Sequence, residues 1–266
     1  MKNIDLTGRV TLVCGAGNGG IGAAVTRALA DYGATLIAVD RTQELADEIA
    51  EEVRAKDKEV LALGVDLMDP VQCATVVETV KQAYGRLDNV VNVVGGSKKS
   101  YWLPLEEYPD ELFSEVFSLN LDATFRICRD AGRYMRDQGA GGAIVNFASI
   151  SGLAAAPYHG PYGAAKAGVM AITRTMAEEW KRYRIRVNAI APGSVFTPSV
   201  QAKGGIKLHD QPYGRTQLEA EEVASAVAFL LSDAASGVTG QILPVDMGVS
   251  ASHPLGGPAY FEHIRA

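Results

Sequence analysis

The sequence lacks the features that mark several specialised classes of protein. Its three cysteines, Cys14, Cys73 and Cys128, lie far apart and form no CxxC pair, so we expect neither a disulfide framework nor a zinc site. No run approaches the ~18 apolar residues that a membrane span needs, and residues 1–5 do not begin the long apolar stretch of a signal peptide. These absences predict a cytoplasmic protein without a metal site, whose cysteines are small buried side chains.

Positive charge is also scarce. Lysine and arginine number 25 against 31 aspartates and glutamates, which gives a formal net charge of −6 at pH 7. Because phosphate backbones are bound by concentrated basic surfaces, this balance argues against a nucleic-acid partner. The hydrophobic share of 47% and the charged share of 21% are ordinary for globular proteins. We therefore expect a globular protein whose partners include neither nucleic acid nor membrane.

What the sequence does contain is a regular alternation of two patterns. Short apolar runs, many rich in valine and isoleucine, alternate with longer segments of helical periodicity, which is typical of βαβ units around a parallel sheet. The predicted strands are Val10–Cys14, Thr35–Asp40, Val60–Val65, Asn89–Val94, Ala143–Ala148, Arg186–Ala191 and Gln241–Val245. The predicted helices span about Ile21–Tyr32, Thr42–Ala55, Pro70–Tyr84, Glu111–Gln138, Tyr162–Tyr183 and Glu219–Leu231.

This order predicts an α/β fold with a Rossmann-type, doubly wound, seven-stranded parallel sheet and helices on both faces. No linker rich in proline, glycine or serine and no internal repeat divides residues 1–266, so we expect a single domain. Residues 194–216 break the alternation with glycines and prolines, and we interpret them as a lid over the substrate. Residues 252–266 form a tail beyond the last strand. Chemistry is expected at the carboxyl ends of the strands.

A glycine-rich loop directly follows the first predicted strand. Glycines let the backbone approach a pyrophosphate closely, and the helix that begins in this loop adds N–H donors and a positive dipole end. A flexible turn is the alternative for such a loop alone, but the strand before it and the helix after it favour a dinucleotide site. The candidate cofactor contacts in the loop are Gly15, Gly17, Asn18, Gly20, Ile21 and Gly22.

An acidic residue follows at the distance that this motif predicts. Asp40 ends the second strand, where a carboxylate accepts hydrogen bonds from ribose hydroxyls and repels a 2′-phosphate, so NAD is favoured over NADP. Arg41 leaves the alternative open, because a guanidinium can pair with that phosphate. Asp66 and Leu67, after the third strand, are candidates for contacts near the adenine, with a carboxylate that only stabilises a turn as the alternative.

The stretch most informative about chemistry leads from the fifth strand into the next helix. Tyr162 and Lys166 are four residues apart in a helix that Pro161 helps to start, so their side chains share one face. An ammonium group near a phenol favours the phenolate, which predicts a fall in the pKa of Tyr162 from about 10 toward working pH. General acid/base catalysis needs such a shift. Ser149 closes the strand and can point its hydroxyl at the same spot, to polarise a carbonyl or hold an alkoxide.

In this combination the sequence resembles the short-chain dehydrogenase/reductase family over nearly the whole chain. The glycine loop resembles the family's TGxxxGxG, while Tyr162 and Lys166 match its YxxxK. Ser149 matches its catalytic serine, and Asn120, in a run of Ser-Leu-Asn, matches its helix asparagine. The resemblance adds cofactor contacts at Asn92, Gly95, Pro192, Gly193, Val195 and Thr197.

The resemblance implies a division of labour. Hydride passes between nicotinamide and the substrate carbon while Tyr162 exchanges the hydroxyl proton, Lys166 also holds the nicotinamide ribose, and Asn120 anchors a water for proton relay. It further implies a homotetramer, or a homodimer, packed through the helices that hold Asn120 and Tyr162. The loop departs from the family pattern at Cys14, where threonine is usual, and is one residue longer. These departures concern the cofactor and leave the catalytic residues intact.

We interpret the protein as an NAD-dependent oxidoreductase that transfers a hydride between nicotinamide and a secondary alcohol or ketone. A cyclic or carboxylate-bearing substrate is one candidate, since Lys98 and Lys99 can attract an anion, although they are also typical solvated loop charges. His159 either lines the substrate cleft or lies in a surface loop, and Trp102 either forms an apolar wall or packs its own loop. The alternatives are a non-catalytic dinucleotide-binding regulator, a carbonyl reductase that prefers NADPH, and an isomerase or dehydratase with tightly held NAD.

Overall fold

The computed structural model describes residues 4–17, 19–198 and 217–251, where strands and helices alternate along the chain. The strands are β1 (Val10–Cys14), β2 (Thr35–Asp40), β3 (Val60–Gly64), β4 (Asn89–Asn92), β5 (Gly142–Phe147), β6 (Ile185–Pro192), β7 (Ser194–Phe196), β8 (Gln217–Glu219) and β9 (Ile242–Val245). The helices are α1 (Ile21–Asp31), α2 (Gln43–Arg54), α3 (Pro70–Cys73), α4 (Thr75–Tyr84), α5 (Asp110–Phe117), α6 (Ala123–Gln138), α7 (Gly160–Trp180) and α8 (Ala220–Leu231). Each of the seven predicted strands is confirmed to within two residues at either end.

Seven strands form one sheet in the order β3-β2-β1-β4-β5-β6-β9. Every neighbouring pair in it is parallel. The strand order reverses between β1 and β4, so the connections on the two sides of this point cover opposite faces of the sheet. The predicted doubly wound sheet is therefore confirmed. Its carboxyl edge has a crevice at the reversal, where the loops after β1, β2, β4 and β5 meet.

The core consists of two layers of apolar side chains, one on each face of this sheet. Buried residues of α1, α2 and α8, among them Leu29, Ile49 and Val227, pack on one face. Buried residues of α4, α6 and α7 cover the other face, where Ile127 and Met176 contribute. Strands that are covered on both faces need continuous apolar runs instead of an alternating pattern. This double coverage explains why all five residues of β1 and all four of β4 are buried.

Two of the predicted helices are interrupted. The segment predicted as one helix from residue 70 to 84 is two helices, α3 and α4, and between them the Thr75 hydroxyl donates to the Gln72 carbonyl at 2.7 Å. Such a side-chain bond competes with the helical backbone bonds. The segment predicted as one helix from 111 to 138 contains a π-helical turn, Ser118–Asp122, between α5 and α6. A π turn inserts one extra residue into the helix and is common at functional sites.

Strand β4 ends two residues earlier than predicted. The backbone N–H groups of Val93 and Val94 both donate to the carbonyl of Cys14 at 2.9 Å. These bonds direct the chain after β4 toward the loop after β1. The two loops therefore lie against each other at the crevice.

Part of the predicted lid and tail lies outside the described residues. Of residues 194–216, Ser194–Phe196 forms β7, which pairs in parallel with β8, whereas 199–216 lie outside. The tail 252–266 and Asn18 lie outside as well. In the described ranges no helix combines the length and hydropathy that crossing a bilayer requires, and no group of His, Cys, Asp and Glu is arranged to hold a metal ion. The three cysteines are free and buried.

Candidate active site

The loop after β1 is built from glycines that have no room for a side chain. Gly15 has a φ of +82°, and a Cβ there would lie 2.9 Å from the backbone nitrogen of Val94. A Cβ on Gly17 would lie 2.4 Å from the carbonyl oxygen of Leu45 in α2. A Cβ on Gly22 would lie 1.8 Å from the carbonyl oxygen of Gly15. Only glycine fits these three positions, as expected of a loop whose backbone approaches a phosphate.

Helix α1 begins at the end of the same loop. Gly20 occupies its N-cap and Ile21 its first position, and the first turn contains no acidic side chain. Its N–H groups and the positive end of its dipole are therefore available to an anion. The start of α1 fits a pyrophosphate by its backbone donors and by the absence of an acidic side chain from its first turn.

Asp40, at the end of β2, faces the glycine loop. Its Oδ2 accepts the N–H of Gly17 at 2.9 Å, and its Oδ1 accepts the N–H of Arg41 at 2.7 Å. Each oxygen of a carboxylate has a second lone pair, so both can still accept a hydroxyl hydrogen. The side chain of Arg41 is exposed. The structure thus holds the carboxylate at the crevice and leaves the guanidinium in solvent.

Asp66 and Leu67 follow β3 at the same edge of the sheet. Oδ1 of Asp66 accepts the N–H of Met68 at 3.0 Å, which is the turn-stabilising arrangement named above as the alternative. Asp66 is partly exposed, whereas Leu67 is 4% exposed and packs in the core layer that includes Val39 and Cys73. Both residues lie where the sequence predicts, and both also have a structural role there.

Asn92 is the last residue of β4, and its side chain is buried in the core. Its register pairs it with Asn146 of β5, so the two side chains point to the same face of the sheet. The Asn92 amide donates to Oδ1 of Asn146 at 2.9 Å and contacts Sγ of Cys128 at 3.2 Å. Asn146 in turn donates to the Thr173 hydroxyl at 3.0 Å. The side chain of Asn92 therefore joins β4 to α6 and α7 inside the core, so its contact with the cofactor, which stays a prediction, would fall to its backbone.

Ser149, Tyr162 and Lys166 lie together beyond the end of β5. The Ser149 hydroxyl accepts the N–H of Ser151 at 3.1 Å and also hydrogen-bonds the Tyr162 phenol. Helix α7 starts two residues before Tyr162, and proline in its first turn fits there because it has no N–H to satisfy. Lys166 lies one turn further along, with Nζ 5.7 Å from the centroid of the Tyr162 ring. The Lys166 ammonium donates to the carbonyl of Phe147 at 2.9 Å.

Burial, and not the lysine, dominates the pKa of Tyr162. Withdrawal from solvent raises the pKa of the phenol above its ordinary value of 10.0, and the hydrogen bond with Ser149 opposes that rise. Burial also lowers the pKa of Lys166 to about 8. The expected fall in the pKa of Tyr162 is therefore not found. Desolvation disfavours the phenolate, and the Lys166 ammonium is itself bonded to the Phe147 carbonyl.

Asn120 is held in the π turn between α5 and α6 and clamps the loop after β4. Its Oδ1 accepts the N–H of Gly96 at 2.8 Å. Its amide donates to the carbonyls of Gly96 and Val116, both at 3.1 Å. Because both amide hydrogens are used inside the protein, the side chain fixes the loop backbone directly. This clamp is a role that the resemblance did not include.

Gly95 lies between Asn120 and Lys166. Its φ is +135°, and a Cβ there would lie 2.7 Å from Oδ1 of Asn120 and 2.9 Å from Nζ of Lys166. The neighbouring Gly96 has a φ of +144°, but a Cβ on it would meet nothing within 4 Å. A side chain therefore has no room at Gly95 but has room at Gly96.

The remaining predicted cofactor contacts follow β6. Pro192 is the last residue of β6 and pairs with Val245 of β9. The N–H of Gly193 donates to the carbonyl of Val245 at 2.9 Å. Val195, in β7, and Thr197, just after it, are 8% and 9% exposed. All four predicted residues thus lie at the carboxyl edge of the sheet, on the same edge as the glycine loop.

His159 is buried in the site, which excludes a surface loop. The side chain is 4% exposed, and its ring stacks on that of Tyr162 with the centroids 4.3 Å apart and the planes at 10°. Trp102 stacks on His159 in turn, with centroids 4.2 Å apart and planes at 13°. Burial lowers the pKa of His159 below 6.5. An aromatic residue three positions before Tyr162, one helical turn away, is the sequence signal that predicts this contact.

Lys98 is not free to attract an anion. Its ammonium forms an ion pair with Glu115, and the same carboxylate oxygen accepts the Tyr101 hydroxyl at 2.9 Å. Tyr101 is 1% exposed and packs its own loop. Lys99 is exposed in a 3₁₀ turn. Trp102, which is half-exposed, is the residue of this loop that faces the site.

A cavity of about 330 Å³ adjoins the stacked rings. It is lined by Trp102, Ile150, Ser151, Ala154, Ala155, Ala156, Pro157, His159, Val249 and Ser250. These described residues include no Asp, Glu, Lys or Arg, and burial lowers the pKa of His159. A larger cavity of about 630 Å³ lies at the C-terminal ends of α6 and α7. Its lining includes neither His159, which stacks on Tyr162, nor Ile150, which follows Ser149, whereas both residues line the smaller cavity. The smaller cavity is therefore the candidate substrate pocket.

The doubly wound sheet, the glycine loop after its first strand and the Ser-Tyr-Lys cluster define a class, the dinucleotide-dependent oxidoreductases. Comparison with known proteins identifies the family within this class. A family model described as enoyl-(acyl carrier protein) reductase matches residues 15–250. The chain belongs to the short-chain dehydrogenase/reductase family, so the family predicted from the motifs is confirmed.

Relatives of the chain are named for alcohol and ketone substrates. It is 37% identical over 264 residues to levodione reductase of Leifsonia aquatica, and the alignment covers 93% of this chain and 96% of that enzyme. It is 38% identical over 247 residues to cis-4-hydroxycyclohexanecarboxylate dehydrogenase of Sinomonas cyclohexanicum, with 91% and 97% covered. The crystal structure of NAD+-bound xylitol dehydrogenase superposes with a TM-score of 0.81 at 30% identity, over 91% of this chain and 98% of that one. The chain is thus an oxidoreductase that acts on alcohol or carbonyl groups.

Proposed function

We propose that the protein is an NAD-dependent dehydrogenase that interconverts a secondary alcohol and its ketone, with Tyr162 as the acid/base. The observation that carries this proposal is the Tyr162 phenol, hydrogen-bonded to Ser149 beside the Lys166 ammonium. This group lies next to the loop that would hold the cofactor, since a Cβ on Gly95 would lie 2.9 Å from Nζ of Lys166. A phenol in such a place can exchange a proton with a substrate hydroxyl.

The residues that would hold the cofactor are those at the carboxyl edge of β1, β2, β4 and β6. Backbone N–H groups of the glycine loop and of α1 would bind its pyrophosphate, and Asp40 would accept from a ribose diol. Gly95, Pro192, Gly193, Val195 and Thr197 line the same edge toward the nicotinamide end. When bound, the nicotinamide supplies the acceptor or donor of hydride.

The protein's own residues then handle the proton. Tyr162 takes the proton of the substrate hydroxyl during oxidation and returns it to the carbonyl oxygen during reduction. The Ser149 hydroxyl, already bonded to the phenol, orients the substrate oxygen beside it. The Lys166 ammonium would stabilise the phenolate, and it has further N–H donors for the nicotinamide ribose besides the one bonded to Phe147. Asn120 keeps the loop after β4 in place through Gly96.

The preference for NAD over NADP rests on Asp40. Its carboxylate is fixed against the glycine loop by the N–H of Gly17, and a second negative charge on a 2′-phosphate would lie close to it. The side chain of Arg41 is exposed to solvent and is not fixed against the glycine loop in this way. The similarity to an NAD+-bound xylitol dehydrogenase supports the same preference.

Replacing Asp40 with alanine should weaken NAD binding and improve the relative use of NADP. A hydrogen bond to a charged group contributes ~1.5–3 kcal/mol, so KM for NAD should rise about 10- to 100-fold. Initial rates with both cofactors measure this change, and Arg41→Ala is the matched control. A lower KM for NADP than for NAD in the unmodified protein would show that Arg41 governs the choice.

A cyclic substrate fits the candidate pocket. The pocket is small, has apolar walls of alanine and proline, and offers the flat ring of Trp102 at its side. The matching relatives act, by their names, on levodione and on a hydroxycyclohexanecarboxylate. The ion pair between Lys98 and Glu115 removes one candidate partner for a substrate carboxylate. We therefore propose an alicyclic alcohol or ketone as the substrate, in preference to its carboxylate-bearing analogue.

The direct test is a panel of secondary alcohols with NAD+, read as NADH absorbance, and of the matching ketones with NADH. Cyclohexanol and 4-hydroxycyclohexanecarboxylate should be included as a neutral and a charged member of one series. We expect net NADH formation, with the neutral cyclic alcohol giving the higher kcat/KM. Tight NAD binding without net NADH release would favour an isomerase or dehydratase, and binding without any turnover would favour a regulator.

We further propose that the protein is a homotetramer in a reducing compartment such as the cytoplasm. Phe113 and Phe125, on α5 and α6, are 44% and 43% exposed, and exposed aromatic side chains on these two consecutive helices support contact with a second copy. Phe113 also stacks on Phe117, which extends this apolar surface. The three free, buried cysteines support a compartment in which thiols stay reduced.

A further inference from the structure

We propose that His159 is a positioning residue for Tyr162, which fixes the plane of the phenol ring and couples it to the loop after β4. This inference rests on the proposed function of Tyr162 as the acid/base. It concerns a residue outside the Ser-Tyr-Lys cluster and Asn120. His159 contacts Tyr162 through its ring face and need not touch the reacting atoms.

The rings of Trp102, His159 and Tyr162 form a continuous stack with the imidazole in the middle. The imidazole lies within 13° of parallel to both neighbours, at centroid distances of 4.2 and 4.3 Å. Stacked aromatic pairs are favourable beyond their burial, and they also resist rotation of the rings. Since Trp102 backs the imidazole, His159 cannot turn away without breaking a second stack. The plane of the Tyr162 ring is thereby set from outside helix α7.

The backbone before His159 is strained in a way that turns this side chain inward. Tyr158 has a φ of +61°, in the left-handed region that a bulky residue rarely adopts, and its side chain is 63% exposed. Its carbonyl accepts the N–H of Leu103 at 2.9 Å, which ties the conformation to the Trp102 loop. Backbone strain of this kind persists where the surrounding structure holds it, often at functional sites. Here it directs one aromatic residue to solvent and the next onto Tyr162.

A hydrogen bond joins the middle of the stack to the loop after β4. Nε2 of His159 and Oγ of Ser97 are 2.7 Å apart. Ser97 is adjacent to Gly96, whose backbone is clamped by Asn120 on both its N–H and its carbonyl. Contacts therefore run without a break from Asn120 through this loop to His159 and Tyr162. A displacement of the loop would move the imidazole and tilt the phenol away from Ser149.

Three substitutions separate stacking from hydrogen bonding. His159→Ala removes both interactions, His159→Phe keeps a flat ring but removes the bond to Ser97, and Ser97→Ala removes the bond alone. Because a misplacement of about 1 Å can cost 10²-fold in rate, we expect kcat of His159→Ala to fall about 10- to 100-fold. His159→Phe should recover most of that loss. Ser97→Ala should lower kcat about 2- to 10-fold, the usual range for one neutral hydrogen bond.

A spectroscopic readout tests the positioning without reference to turnover. Tyrosine labelled with 13C at the ring ε carbons gives a signal for Tyr162, assigned by its loss in Tyr162→Phe. The stack should slow flipping of the ring, so the unmodified protein and His159→Phe should give two resolved ε signals. His159→Ala should give one averaged signal. Tyr158→Phe, altered on the exposed side chain, is the matched control for both readouts.

Equal ring-flip rates in all variants, or an unchanged kcat in His159→Ala, would overturn the proposal. A rise in KM for substrate with unchanged kcat would overturn it too, since His159 would then be only a wall of the pocket. If the unmodified protein oxidises no alcohol and reduces no ketone, the proposed function fails, while the ring-flip comparison still decides whether His159 holds Tyr162. If His159→Ala does not fold, His159→Phe and Ser97→Ala still give ring-flip rates and kcat.

Discussion

Tyr162→Phe should lower kcat about 10³-fold, because general acid/base catalysis contributes about 10²- to 10⁴-fold and the change deletes only the hydroxyl that we propose to exchange the proton. The ring, its stack with His159 and its place in α7 should remain, since none of these contacts uses the hydroxyl. The hydrogen bond to Ser149 is lost, but the serine keeps its bond to the N–H of Ser151. The KM for NAD should therefore change little. Steady-state rates with the best substrate of the panel measure both constants.

Tyr158→Phe is the matched control for this substitution. It removes the same hydroxyl from a side chain four residues away that is exposed to solvent. We expect its kcat to equal that of the unmodified protein. Full turnover by Tyr162→Phe would remove the proposed mechanism, and equal losses in both variants would point to a general effect of the altered helix start.

Gly95→Ala should lower kcat about 10²-fold through a steric effect inside the catalytic cluster. The added Cβ would lie 2.7 Å from Oδ1 of Asn120 and 2.9 Å from Nζ of Lys166, so at least one of these side chains must shift. Lys166 has little freedom to do so, because it is 2% exposed and bonded to Phe147. A shifted lysine stabilises the phenolate less well. The measured quantity is kcat, with the melting temperature recorded alongside.

Gly96→Ala separates this steric effect from backbone strain. Both glycines have a φ that disfavours a side chain, +135° and +144°, so alanine should destabilise the fold at either position by about 1–3 kcal/mol. At Gly96, however, the new Cβ meets nothing within 4 Å. We expect similar melting temperatures in the two variants, but a much smaller loss of kcat in Gly96→Ala. Equal losses of kcat would mean that loop conformation alone is responsible.

The sheet could be predicted from the sequence because its strands are buried on both faces. Continuous apolar runs such as Val10–Cys14 have no other stable location in a globular protein of this size, and the helical periods between them are long. The strand order and the crevice then follow from the handedness of βαβ crossovers. The strand ends were less predictable. Where β4 stops depends on bonds from Val93 and Val94 to a strand far away in the chain.

The predictable part of the site consists of residues that are adjacent in sequence or one helical turn apart. Tyr162 and Lys166 share a helix face by spacing alone, and the glycine loop is adjacent in sequence to the strand and helix that frame it. The direction of the Asn92 side chain was not predictable, because it depends on the register of β4 against β5. The π turn that holds Asn120 leaves no mark in a pattern of helical period.

The pKa of Tyr162 was not predictable for a related reason. Spacing places an ammonium group near the phenol, but it says nothing about how much water either group loses. The structure shows both groups withdrawn from solvent and Lys166 turned to the Phe147 carbonyl. The burial of His159 could not be predicted either, because the loop that holds Trp102 and covers the imidazole lies far from it in the sequence.

The strand order also separates the residue that we propose to select the coenzyme from the residues beside the candidate substrate pocket. Asp40 ends β2 and Ser149 follows β5, with β1 and β4 between them, so they lie three strand spacings apart, roughly 14 Å. Substitutions farther apart than about 10 Å with no shared partner have nearly additive effects. A lineage, or a designer, can therefore exchange the coenzyme at one end of the crevice while the pocket at the other end keeps its substrate.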